Sequence, residues 1–83
     1  MKIRVRGLRL PLEHSENELV KEAARHIGVT EENILAVTKV KQAVDARRKQ
    51  VFLTYTVDIE IAGDVQLAPE LFDGTDVILL PER

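Results

Sequence analysis

Hydrophobic and polar residues alternate at the start of this chain, and the alternation changes phase once. Ile3 and Val5 are flanked by Lys2, Arg4 and Arg6, the period-2 signature of a half-buried strand. After Gly7 the apolar set moves to Leu8, Leu10 and Leu12. A one-residue slip at a glycine predicts a bulge or sharp bend within a strand over residues 2–12. Pro11 has no N–H for a ladder, so the strand ends or becomes an edge near it.

The period then changes. Leu19, Val20, Ala23, Ala24 and Ile27 fall on one helical face, with Lys21, Glu22 and Arg25 away from it. Ser15 with Glu18 three positions later reads as a capping box, and Arg25, His26 and Gly28 supply the cations and the C′ glycine of a helix end. The helix is expected over residues 15–28. Thr30 caps a short turn at Glu31-Glu32-Asn33, and a β run follows from Ile34 to Ala46, in which Val40, Gln42, Val44 and Ala46 are read as sharing one face. Arg47-Arg48-Lys49-Gln50 reads as a solvated hairpin tip. The clearest strand is 51–61, where Val51, Leu53, Tyr55, Val57, Ile59 and Ile61 alternate with polar residues and with Phe52, the one apolar residue out of phase. A turn at Ala62-Gly63-Asp64, a short return strand at Val65-Gln66-Leu67, a loop from Pro69 to Asp76 and a final covered strand at Val77–Leu80 complete the reading.

The expected fold is α+β, in the order β-α-β-β plus a short terminal strand. One helix packs on one face of a small mixed or antiparallel sheet, its stripe against the odd-numbered face of the 51–61 strand. Strand order is left open. With 83 residues the chain is read as one domain, 1–83, and a domain of this size buries only about 60–65% of its unfolded-chain surface.

Composition narrows the function classes. A net charge of −2 gives no support to a general nucleic-acid binder. The absence of cysteine removes disulfides, thiolate nucleophiles and cysteine metal sites, and fits a cytoplasmic protein. No apolar run approaches a membrane span, and the charged start does not match a signal peptide.

Candidate chemistry is sparse. His14 and His26 are too few for a metal site, and Ser15 is explained as an N-cap rather than a nucleophile. The pairs Glu31-Glu32 and Asp58/Glu60 read as solvated carboxylates. No glycine belongs to a phosphate-binding motif, so no cofactor is expected on this chain. What remains is a candidate interaction patch of Lys39, Lys41, Asp45, Arg47, Arg48 and Lys49, joined by Arg4, Arg6 and Arg9 if the strands pair. It reads either as an RNA- or anion-binding surface or as charges that guard sheet edges, and the second reading is favoured.

Three segments, Gly7-Leu8-Arg9-Leu10-Pro11-Leu12, Val44-Asp45-Ala46-Arg47-Arg48-Lys49 and Tyr55-Thr56-Val57-Asp58, resemble in order and spacing the N-terminal region of a bacterial family of FAD-dependent dehydrogenases. The likeness covers roughly residues 3–61. It implies a non-catalytic accessory or docking domain whose partner is a downstream flavin-binding domain, with FAD held there and not here. It also singles out Asp45 as a brace for Arg47 or Arg48. The alternative is a stand-alone RNA- or anion-binding module using the basic 39–49 strand and its tip.

Overall fold

The computed structural model describes residues 1–47 and 49–81, Arg47 by its backbone alone. The elements are β1 (Lys2–Pro11), α1 (Glu16–Ile27), a 3₁₀ turn (Glu31–Asn33), β2 (Ile34–Arg47), β3 (Gln50–Ile61), a second 3₁₀ turn (Pro69–Phe72) and β4 (Val77–Leu80). The sheet order is β2-β3-β1-β4, and every neighbouring pair is antiparallel. β1 and β2 therefore run parallel to each other with β3 between them, and the crossover that parallel strands require is made by α1. This places the helix on one face and leaves the other face open, as the α+β reading expects.

Local chemistry sets the helix ends. The Ser15 Oγ accepts from the Glu18 N–H at 3.2 Å. Gly28 takes φ +76°, and the N–H groups of Gly28 and Val29 both donate to the Ala24 carbonyl, at 2.9 and 3.0 Å. That is the left-handed termination glycine permits at least cost. Leu19, Ala23, Ala24 and Ile27 are buried.

The core is one cluster. Ile3, Val5, Leu8 and Leu10 of β1 and Leu53, Tyr55, Val57, Ile59 and Ile61 of β3 face α1. β3 thus buries its odd-numbered face as expected, except Val51, which is 41% exposed. The phase change in β1 is a bulge. Val5 pairs with Val57 and Leu8 with Tyr55, so Arg6 and Gly7 together oppose Thr56, with Gly7 at φ +76°.

Two expectations for the C-terminal part are corrected. Val65–Leu67 forms no strand; Val65 and Leu67 are instead half-buried against the core, and the following loop contains the 3₁₀ turn at Pro69–Phe72. β4 is not covered on both sides either. It lies at the sheet edge beyond β1, burying Val77 but leaving Leu79 60% exposed. Among the described residues no helix is long and apolar enough to cross a membrane.

Candidate functional site

β2 and β3 are long strands, of 14 and 12 residues, joined at Arg47–Gln50, and the molecule measures 42 × 25 × 22 Å. A twelve-residue strand spans about 40 Å, whereas a twelve-residue helix covers only about 18 Å of it. The far end of the β2–β3 hairpin therefore runs beyond the helix as an arm. The described residues of the predicted interaction patch run from Lys39, beside the start of α1, out along this arm.

The register decides which charges share a surface. Lys39 pairs with Val57 and Lys41 with Thr56, so Val40 is an extra residue in β2. Directly paired residues point to the same side of a sheet. Lys39 is thus on the helix side with Val57, while Lys41, opposite Thr56, is on the open side. The same bulge corrects the reading of Val40, Gln42, Val44 and Ala46 as one regular face. Val40 is the bulge residue, and Gln42, Val44 and Ala46 lie on the helix side opposite Tyr55, Leu53 and Val51, but beyond the reach of α1. Val44 is accordingly 65% exposed.

On the helix side, Lys39 joins a polar cluster at the start of α1. Its Nζ lies 2.5 Å from the Glu16 carboxylate and 5.5 Å from the centre of the Tyr55 ring. The Lys39 ammonium is pushed above its usual range, chiefly by the hydrogen bond to Glu16. A raised lysine value stabilises the fold below the ordinary value of 10.5, and this contribution disappears as pH rises through the higher folded value. Glu16→Gln is therefore expected to cost a small, constant amount of stability from pH 7 to about 9.5, with the gap to the parent closing above about pH 10.5 in urea titrations.

Beside this pair, the buried Tyr55 hydroxyl lies 3.0 Å from His14 Nε2, and His14 Nδ1 lies 2.9 Å from the Pro11 carbonyl oxygen. A carbonyl can only accept, so Nδ1 carries the proton and, in the neutral ring, Nε2 accepts from the tyrosine. The rings meet edge to face at 5.4 Å. His14 thereby ties the loop after β1 to the middle of the sheet.

On the open face the charges pair across strands. Arg4 and Asp58 are directly opposed, and the guanidinium forks onto the carboxylate at 2.7 and 3.1 Å, which raises the Arg4 pKa through that hydrogen bond and then through charge. Nearer the tip, Arg9 stacks 4.2 Å above the Phe52 ring and reaches Asp45 at 3.8 Å. Phe52, out of phase in β3, is the platform between them.

The predicted patch is thus divided. Lys39 is held on one face, Lys41 is exposed on the other, and Asp45 is half-buried beside Arg9. Lys49 is exposed at the turn, and Arg47 ends β2 opposite Gln50. Arg48 and the Arg47 side chain, and with them the expected Asp45 brace, lie outside the described residues. Sequence reasoning missed the Arg4–Asp58 and Arg9–Phe52–Asp45 contacts and the Glu16–Lys39–Tyr55–His14 cluster. Each joins elements whose adjacency depends on strand order. Elsewhere, an open cavity of about 500 Å³ is lined by Arg6, Phe72, Thr75, Val77, Ile78 and Leu79 at the β4 edge.

A family model described as a domain of unknown function, DUF8436, matches residues 2–60. The chain belongs to that family. The matched stretch takes in β1, α1, β2 and nearly all of β3, and so contains the helix, the arm and every polar contact described above, but not β4. No curated protein matches the chain.

Proposed function

We propose that this chain is a non-catalytic docking domain whose partner is a flavin-binding domain, and that it docks through the hairpin arm. The observation that carries the reading is a core face that continues past its cover. Leu10 and Leu53 are 4% and 7% exposed. Val44, directly opposite Leu53 on the neighbouring strand β2, is already 65% exposed; one step further toward the tip Val51 is 41% exposed, and Leu12, which follows the Pro11–Phe52 pair, is 56% exposed. Apolar side chains clustered in this way mark a surface that another body covers. The flavin in the partner is supported by the resemblance of the segments at 7–12, 44–49 and 55–58. Those segments are far apart in the chain, yet the first two meet at the arm, where Arg9 and Asp45 approach each other on either side of Phe52.

Sequencing the gene beyond the Arg83 codon, and producing the complete product, supplies the test. A flavin-binding region in the same product, whose thermal stability falls when Leu12 and Val44 are both changed to aspartate, fits the proposal. Burying an unpaired carboxylate at a contact costs several kcal/mol, whereas at a solvated position it costs about 0–0.5. If the double variant leaves both the flavin region and this domain as stable as before, the arm is not the docking surface. The RNA- or anion-binding alternative gains nothing from the division of Lys39 and Lys41 between two faces, or from the pairing of Lys39 with Glu16, Arg4 with Asp58 and Arg9 with Asp45.

A further inference from the structure

We infer that the outer edge of β2 pairs with the same edge of a second copy of this chain, antiparallel and about a two-fold axis through Ala43. β2 is the first strand of the sheet and, among the described residues, has a neighbouring strand on its β3 side alone. The outer side of an edge strand is a template for another strand. Edges are usually blunted by charged side chains, a proline or a bulge. Here the irregularities fall between Ile34 and Ala36 and at Val40, and from Lys41 to Arg47 each residue pairs with β3 without a further shift.

The charges of this regular stretch select the partner and the register. Lys41 and Asp45 lie on the same open side, opposite Thr56 and Phe52, and are equidistant from Ala43. Antiparallel pairing centred on Ala43 brings Lys41 opposite Asp45 of the second copy, and the symmetry makes this contact twice. On the helix side, Gln42 then lies opposite Val44 of the second copy, so the two Val44 side chains become neighbours across the axis. Moving the axis by one residue to Val44 would instead set Lys41 against Arg47, two like charges. The Val40 bulge ends the pairing on the other side, so the match is short and self-complementary. Asp45 keeps its contact with Arg9, because a carboxylate accepts at two oxygens. This inference concerns the backbone edge of β2 and the docking reading the helix-side face of the arm; the two share Val44, and the tests of the pairing at Lys41, Asp45 and Ala43 leave that residue unchanged.

A short edge-to-edge contact is expected to be weak, with a dissociation constant on the order of 100 μM. Sedimentation of the full 83-residue chain from about 10 μM to 1 mM should show a reversible monomer–dimer equilibrium. Lys41→Asp should weaken it about tenfold, because two opposite-charge pairs become like-charge pairs, and Asp45→Lys in the same chain should restore it. Since the second change also sets a lysine beside Arg9, a cross-linking readout runs in parallel. The chain has no cysteine of its own, and in this register Ala43 alone faces its own copy. The Cα separation of a directly opposed antiparallel pair, about 4.5–5.5 Å, suits a disulfide. Ala43→Cys should therefore form a covalent dimer in oxidised glutathione at least tenfold faster than Thr38→Cys. A chain that stays monomeric to 1 mM, a dimer indifferent to Lys41→Asp, or equal cross-linking at both positions would overturn the inference.

Discussion

Replacing Ile59 by alanine is expected to remove about 3 kcal/mol of stability, within the usual range of about 2–5 for such a change at a buried site. Ile59 has no exposed surface, and it sits in β3 between Ile3 of β1 and Val37 of β2. A side chain there contacts the strands on both sides and the helix above, and rigid neighbours on three sides leave the cavity little room to collapse. A domain of this length is stable by roughly 4–12 kcal/mol, so the loss takes a large share of it. Val44→Ala removes a side chain of similar chemistry from the same hairpin, but at 65% exposure its cost should stay within about 0.5 kcal/mol. Urea titrations decide the matter: the Ile59 variant should shift its midpoint strongly at unchanged slope, the Val44 variant hardly at all. Equal shifts would mean that the arm is as well covered as the core.

That contrast also shows what the sequence could reveal. The alternation of β3 and the stripe of α1 are local patterns, and apart from the exposed Val51 and the half-buried Val20 both buried the faces they implied. The slip at Gly7 was visible because apolar residues on its two sides keep opposite parity. The bulge at Val40 was not, because the residues after it are exposed, and an unburied strand imposes no alternation that could expose a slip. Val65 and Leu67 misled for the opposite reason: two apolar residues at strand spacing were drawn to the core rather than into the sheet. The polar contacts lay furthest from reach. Arg4–Asp58 and Arg9–Asp45 follow directly from the order β2-β3-β1, but strand order is decided by the crossover of α1 and leaves no mark in any short window of residues. The division of the candidate patch between two faces likewise depended on one extra residue in β2, which no short window of residues reveals.

Gly7 offers the second large effect, and there the nature of the change matters more than its size. Its φ of +76° is one that side chains with a Cβ adopt at a cost of about 1–2 kcal/mol, and more when they are β-branched. A Cβ built at Gly7 meets no atom within 4 Å, so the penalty is a matter of backbone conformation and not of crowding. Gly7→Val should therefore destabilise by about 2 kcal/mol, and Gly7→Asn by clearly less, because asparagine tolerates the left-handed region. Deleting Gly7 should be milder than the valine change. With that residue gone, Ile3, Val5, Leu8 and Leu10 fall into one unbroken alternation, and Arg6 alone opposes Thr56. The core side chains keep their side of the sheet, and Arg9 stays on the open face beside Phe52 and Asp45. Thermal melts of the three variants give the ranking. Amide exchange across β1 and β3 tests its cause: in the deletion variant protection should run without interruption through the former bulge, and its loss there would show that the bulge itself, and not only the parity it corrects, holds β1 against β3.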